Sequence, residues 1–116
     1  MIGMHVLIDG HGCTATALLT DAAGIAVLLR EAAQGACMTP LSEPVVHAFP
    51  GGGLTAFLPL AESHIAIHTY PERAFFAADL FTCGPNAAPE IAVALLLDRL
   101  RPERPAVRRI VRGDDV

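Results

Sequence analysis

The sequence predicts an α+β fold: a two-layer α/β sandwich in which a mainly antiparallel sheet carries two helices on one face. Three observations lead there. Apolar residues recur at helical spacing in two separate stretches, and short alternating runs bounded by glycine and proline fill most of the remaining chain. The runs between the two helical stretches follow one another directly, which favours adjacent strands with helices laid against them. With 116 residues, the chain makes one domain (1–116) with a single core.

The elements follow in order. Met4 to Ile8 reads as a strand, closed by Asp9-Gly10-His11-Gly12, and Thr14 to Thr20 as a turn or loop. A helix begins near Asp21, a good N-cap, with Ile25, Leu28, Leu29 and Ala32 as its apolar stripe and Gly35 as its stop. Pro40 and Pro44 break any continuation. Val45 to Phe49 and Leu54 to Leu60 pair as strands around Pro50-Gly51-Gly52-Gly53. Three glycines invite a phosphate-loop reading, but no Gly-Lys-Ser/Thr follows, so a hairpin turn is preferred. His64 to Tyr70 alternates, with His64, Ala66, His68 and Tyr70 on one face and Ile65, Ile67 and Thr69 on the other. Arg73 to Cys83 is a further strand that puts Phe75, Ala77, Asp79, Phe81 and Cys83 on one face. Gly84-Pro85-Asn86 turns the chain into a second helix from Pro89 to Arg101, which Pro102 and Pro105 end. Ala106 to Val111 is the last strand, and 113–116 reads as a frayed tail.

Composition removes several functions. All eight basic residues are arginine, so no lysine exists to hold pyridoxal phosphate, form an internal imine or serve a phosphate loop. Six of the arginines lie between Arg99 and Arg112, but the chain carries a net charge of -4 and the cluster has no interleaved aromatics. A solvated face explains it better than nucleic-acid binding. No apolar run approaches the ~20 residues that span a bilayer, and Met1 to His5 lacks the pattern of a signal peptide. Three widely spaced cysteines fit a reducing cytoplasm.

Chemistry concentrates in Ala61-Glu62-Ser63-His64-Ile65-Ala66-Ile67-His68-Thr69-Tyr70-Pro71-Glu72, read together with Cys83. Taken singly, its residues have structural readings: His64 and His68 as satisfied core or edge histidines, Ser63 as a strand-start hydroxyl, Cys83 as a small buried hydrophobe. Metal binding by His64, His68, Glu72 and Cys83 lacks a CxxC pair or an HExxH helix, and no metal is expected. A Ser63–His68 hydrolase lacks the G-x-S-x-G elbow.

A fourth reading rests on resemblance. The segment Ala61 to Glu72 and the run Asp79-Leu80-Phe81-Thr82-Cys83-Gly84 closely resemble the short prokaryotic form of S-adenosylmethionine decarboxylase, a self-processing pyruvoyl enzyme. The likeness covers most of the chain. It takes in His5 followed eight residues later by Cys13, then His47-x-Phe49, and the hydroxyl of Thr55. Decarboxylating an α-amino acid requires an electron sink, normally an imine to a cofactor carbonyl. A carbonyl made from the chain itself is consistent with the absence of lysine.

The resemblance implies cleavage between Glu62 and Ser63 into a β fragment (1–62) and an α fragment (63–116). The Ser63 hydroxyl would attack the Glu62 carbonyl to form an ester. Loss of the Ser63 α-proton would then expel the Glu62 carboxylate and leave a dehydroalanine that hydrolyses to a pyruvoyl group. By the same resemblance Ser63 is the pyruvoyl precursor and His68 accepts the proton in processing. Thr55, where the family commonly has serine, assists processing, and Cys83 reprotonates the substrate carbon after CO2 leaves. Phe49 and Tyr70 would sandwich adenine, with tryptophan more usual at the second position, and Glu72 would bind the ribose hydroxyls.

Parity is compatible with these roles. His68, Tyr70 and Glu72 share one face unless Pro71 bends the chain, whereas Ser63 has the opposite parity and must sit at a bend.

Departures bear on substrate. Ala48 replaces a commonly basic residue, the turn at 50–53 is unusually glycine-rich, and Arg73-Ala74-Phe75 replaces a Tyr-Gly-Tyr-like run. Pyruvoyl-dependent ornithine and arginine decarboxylases share the scaffold, and an unprocessed regulatory relative is a further alternative. Phe49, Tyr70 and Glu72 favour the nucleoside. The expectation is therefore an enzyme that supplies decarboxylated S-adenosylmethionine for spermidine synthesis. It would work as an (αβ)2 homo-oligomer with shared sites, Phe49 reaching in from the partner, and without pyridoxal phosphate, nucleic acid or membrane. Cys13, Cys37 and His11 receive no role.

Overall fold

The computed structural model describes residues 2–84 and 86–113. Its strands are β1 (Gly3–Cys13), β2 (Val45–Ala48), β3 (Leu54–Leu60), β4 (Ser63–Tyr70), β5 (Phe75–Thr82) and β6 (Pro102–Arg112). Helices α1 (Ala22–Gly35) and α2 (Pro89–Leu100) complete the chain, with short 3-10 turns at Leu18–Thr20 and Pro71–Arg73. The strands form one sheet in the order β2-β3-β4-β5-β1-β6, and every neighbouring pair is antiparallel.

Both helices lie on one face of this sheet, as the expected two-layer sandwich requires. Ile25, Leu28, Leu29 and Ala32 of α1 and Ala92, Val93, Leu96 and Leu100 of α2 join Val6, Ile8, Leu58, Ile65, Ile67, Phe76 and Leu80 in a single buried cluster. The Asp21 carboxylate accepts the Gly24 N–H at 2.9 Å and caps α1. A left-handed Arg101 (φ 51°) ends α2.

Three boundaries differ from expectation. β1 does not turn at Asp9-Gly10-His11-Gly12 but runs on to Cys13, paired with β6 as far as Cys13 opposite Pro102. Gly10 is a packing glycine here, since a Cβ would stand 2.1 Å from the ring of Phe76. β6 accordingly begins at Pro102 rather than Ala106. It is an edge strand, where proline is tolerated because the missing N–H costs no ladder bond on the outer side. β5 begins at Phe75, because Pro71–Arg73 forms a 3-10 turn closed by a left-handed Ala74 (φ 48°). Pro85 of the expected turn and residues 114–116 of the expected tail lie outside the described residues.

Register places the chemistry on the helix-free face. His5, Phe81 and His64 fall in one cross-strand row; Leu7, Asp79, Ala66 and Phe57 fill the next; Asp9, Ala77, His68, Thr55 and His47 form a third. Several apolar side chains on this face stay open, among them Val45 (64% exposed), Phe57 (41%) and Ile110 (43%).

Candidate active site

Near the β2–β3 hairpin a cavity of about 550 Å³ is lined by Phe49, Thr55, His68, Tyr70 and Glu72, together with Pro50, Gly51, Gly53, Leu54 and Thr69. Local sequence builds it. Gly51 and Gly52 adopt φ values of 95° and 96°, and the Phe49 N–H closes the turn onto the Gly53 carbonyl at 2.8 Å. A Cβ on Gly53 would stand 3.0 Å from the Thr69 carbonyl, so glycine lets the turn lie against β4. Thr69 is buried beneath, accepting the Leu54 N–H at 2.9 Å and donating to the Leu19 carbonyl at 2.7 Å. Glu72 rides on the 3-10 turn after Tyr70, so Pro71 bends the chain yet leaves the carboxylate at the same cavity.

Aromatic faces frame this cavity. Phe49 and Tyr70 are about half exposed, and the Phe49 ring meets His47 edge-on at 4.5 Å. Tyr70 leans on Phe75 at 5.7 Å, and Phe75 on His11 at 4.7 Å. Across the β3–β4 ladder Thr55 stands opposite His68, with Oγ1 and Nδ1 3.0 Å apart.

A second group forms where β3 turns into β4. The turn is Ala61–Glu62, and Ser63 opens β4 with φ 149°, a backbone region that residues with a Cβ rarely occupy. Parity predicts Ser63 at a bend before the strand; it is instead the first residue of β4, paired with Leu60 and Thr82 just after the turn, and the strain sits on it. The carbonyl of Glu62 is doubly held: the Cys83 N–H donates to it at 3.1 Å and the Cys83 thiol at 3.3 Å. Two donors on one peptide carbonyl are the arrangement that stabilises negative charge developing on its oxygen.

Between these two groups lies a network that the sequence analysis did not identify. Asp79 Oδ2 receives both His5 Nε2 and His64 Nε2 at 2.8 Å. Burial pushes the Asp79 carboxyl up, but the hydrogen bonds from His5 and His64, with the positive charge either ring carries when protonated, outweigh it and hold the group below the ordinary aspartate value. His5, His64 and Asp79 are also the set among the described residues whose donor atoms lie close enough to share a metal. However, Arg112 Nη1 lies 3.2 Å from His5 Nδ1, and in the neutral ring that accepts from it the proton is on Nε2. That nitrogen is then a hydrogen-bond donor to Asp79 and has no lone pair for a cation. The signal available in the sequence was parity: Asp79 and His64 are polar residues on the faces of neighbouring alternating strands that point away from the core.

The sequence-derived candidates thus fall into two groups within one chain. Phe49, Thr55, His68, Tyr70 and Glu72 meet at one end of the sheet; Glu62, Ser63 and Cys83 meet at the other. Ser63 and His68 are five residues apart on one strand, about 16 Å at 3.3 Å per residue. Cys13 is buried and its thiol is pushed up by that burial, in keeping with a packing role, while Cys37 is exposed on a left-handed turn (φ 59°).

Comparison with known proteins decides the family. The family model described as S-adenosylmethionine decarboxylase matches residues 4–113. The chain belongs to the S-adenosylmethionine decarboxylase family. Among its relatives, the S-adenosylmethionine decarboxylase proenzyme of Parasynechococcus marenigrum is 42% identical over 108 residues, covering 93% of this chain and 83% of that protein. The proenzyme of Pyrobaculum aerophilum is 39% identical over 104 residues, covering 90% and 82%. That of Methanococcus maripaludis is 38% identical over 112 residues, covering 97% and 90%. The crystal structure of the adenosylmethionine decarboxylase from Aquifex aeolicus superposes with a TM-score of 0.89 at 32% identity, covering 97% of this chain and 92% of that one. Family membership gives the two groups of residues a common frame.

Proposed function

We propose that this chain is a proenzyme that cleaves itself between Glu62 and Ser63 and then decarboxylates S-adenosylmethionine. The observation that carries the proposal is the Glu62 carbonyl, gripped by both donors of Cys83 and followed by a serine in a left-handed backbone, in a member of this family.

The chain's own residues account for the cleavage. The Ser63 Oγ attacks the Glu62 carbonyl carbon, and Cys83 stabilises the charge that collects on the oxygen. The C–N bond breaks as the hydroxyl proton passes to the departing nitrogen, leaving an ester and a free amine. A base then removes the α-proton of residue 63, and the Cβ–Oγ bond breaks with its electron pair leaving on the Glu62 carboxylate. Water hydrolyses the resulting dehydroalanine, releases ammonia and leaves a pyruvoyl group at the head of the α fragment.

His68 is the base. In the tautomer whose Nδ1–H donates to the Thr55 hydroxyl oxygen, 3.0 Å away, Nε2 keeps a lone pair for the proton. The pyruvoyl carbonyl supplies the electron sink that lets an α-carboxylate leave as CO2. The Cys83 thiol returns a proton to the carbon left behind. Phe49 and Tyr70 offer ring faces to adenine and Glu72 accepts the ribose hydroxyls; a cavity flanked by two rings and one carboxylate suits a nucleoside better than a bare diamino acid.

His68 and Ser63 of one protomer stand too far apart to react, so the working assembly is a homodimer, (αβ)2 after cleavage. A two-fold axis that lays one helix-free face on another with strand directions reversed brings the Ser63 end of each chain over the His68 end of its partner. The open Val45, Phe57 and Ile110 on that face favour such burial. Phe49, with His68, Tyr70 and Glu72 of the same cavity, then reaches the substrate on Ser63 from the partner subunit. The product is the aminopropyl donor of spermidine synthesis, and the reading places its synthesis in the cytoplasm. Among the described residues no helix is long and apolar enough to cross a membrane.

Denaturing electrophoresis with terminal sequencing tests cleavage. The expected result is two fragments, 1–62 and a second whose N-terminus is blocked, with Ser63→Ala staying whole and inactive. A wild-type chain that stays intact after long incubation would overturn the proposal. Release of labelled CO2 from S-adenosylmethionine, but not from ornithine or arginine, tests substrate; turnover of a diamino acid alone would overturn the nucleoside roles of Phe49, Tyr70 and Glu72.

A further inference from the structure

The residue to be cleaved is anchored on its side chain as well as on its carbonyl. Thr39, on the loop after α1, donates its backbone N–H to Glu62 Oε1 at 2.8 Å and its hydroxyl to Oε2 at 3.3 Å. The same loop runs alongside the end of β3. The Ala61 N–H donates to the Thr39 carbonyl at 2.9 Å, Pro40 bridges Leu60, and the Leu41 N–H donates to the Pro59 carbonyl at 3.0 Å. Thr39 therefore reaches Glu62 from a short, fixed strip of backbone.

A strained peptide relaxes unless the segments around it are held. At the 61–62 turn no glycine supplies the positive φ, which falls on Ser63 instead. Cys83 holds the Glu62 carbonyl from the β5 side, and Thr39 holds the carboxylate from the loop side. Rotation of the scissile peptide out of its strained state would break contacts at both ends. Two hydrogen bonds to one carboxylate are stronger than neutral ones, and they fix the plane of the side chain as well as its position.

We propose that Thr39 is a positioning residue for self-cleavage: by clamping the Glu62 carboxylate it keeps the Glu62–Ser63 peptide aligned with the Cys83 donors. The clamp rests on the self-processing reading and extends it to a loop that carries none of the residues assigned above. Its work ends when the peptide bond is gone. Thr39 matters for the rate of cleavage and not for the decarboxylation that follows.

The test follows the cleavage rate of freshly made chain by densitometry and the kcat and KM of the purified, processed enzyme. Thr39→Val, which removes the hydroxyl and keeps the shape, slows cleavage about five- to tenfold while kcat and KM of the processed form stay at wild-type values. Thr39→Ser restores the rate. Glu62→Ala slows cleavage at least as much, and the double variant Thr39→Val/Glu62→Ala is no slower than Glu62→Ala alone, as expected of two residues acting through one contact. Wild-type cleavage rates in Thr39→Val, or fully multiplicative effects in the double variant, overturn the clamp and leave the self-processing reading standing. A fall in kcat equal to the fall in cleavage rate also overturns it. Should the wild-type chain itself not cleave, the reading and the clamp fall together. If Thr39→Val does not fold, the Glu62→Ala and Glu62→Gln pair decides instead: Gln keeps the acceptor for the Thr39 N–H, so its rate must fall between wild type and Glu62→Ala.

Discussion

Thr55 and His68 meet across one rung of the β3–β4 ladder, and that single contact holds the imidazole ring in place. Without the hydroxyl the ring loses that hold on its orientation. Thr55→Val is therefore expected to slow cleavage about tenfold, the factor that one lost hydrogen bond of ~1.4 kcal/mol represents, whereas Thr55→Ser stays close to wild type. A time course of fragment appearance measures both.

Asp79 supplies a second prediction for a single residue. Its carboxyl is held below the ordinary value, so the native state binds a proton there less readily than the unfolded chain. The stabilisation is complete above the unfolded aspartate value of about 3.9 and is lost as pH falls through the lower native value. Thermal unfolding between pH 2.5 and 6 is expected to show a steep acid limb in the wild type and a shallower one in Asp79→Asn. Equal limbs in the two proteins would show that the His5–Asp79–His64 network carries none of the acid sensitivity.

For the strands and helices, what could be read and what could not follow a physical division. The two helices were legible because Asp21, Gly35, Pro89 and Pro102 mark their ends locally and their stripes repeat at helical spacing. β4 was legible through strict alternation, and its buried residues Ile65, Ile67 and Thr69 are the odd set. β1 was not. Gly10 and Gly12 look like a turn in sequence, but Gly10 is small because Phe76, fully buried, packs onto its backbone. That requirement comes from a strand 66 positions further along and leaves no local trace. Gly10→Ala is accordingly expected to destabilise the fold by about 1–3 kcal/mol through overpacking, read as a lower denaturant midpoint at unchanged slope. An unchanged midpoint would mean that Phe76 moves aside without strain. β6 was shortened for a similar reason: prolines read as breakers, yet at a sheet edge they cost little.

The whole molecule raises the question of how two half-sites become one. Glu62, Ser63 and Cys83 sit at one end of the sheet and Thr55, His68 and the cavity at the other. If pairing of two chains completes each site, complementation must occur. Co-expressed Ser63→Ala and His68→Ala chains would form mixed dimers with one intact site, in which the intact Ser63 of one chain meets the intact His68 of the other. Cleavage of the His68→Ala chain, and of that chain alone, is the expected result on a gel that separates tagged partners. If neither chain is cut in the mixture, the site lies within one protomer.

The same division accounts for how the function was read. The identities and short-range spacings of Glu62-Ser63-His64, His68, Tyr70, Glu72 and Phe81-Thr82-Cys83-Gly84 were enough to place the chain in its family, and the lack of lysine made a chain-derived carbonyl a sensible cofactor. Those properties are local, and a linear chain displays them directly. Which residues touch is a matter of register between strands far apart in sequence. Only the tertiary structure put Cys83 on the Glu62 carbonyl, Thr39 on the Glu62 carboxylate and Asp79 between His5 and His64. It also separated Ser63 from His68 along a single strand, a distance that follows from the extended backbone.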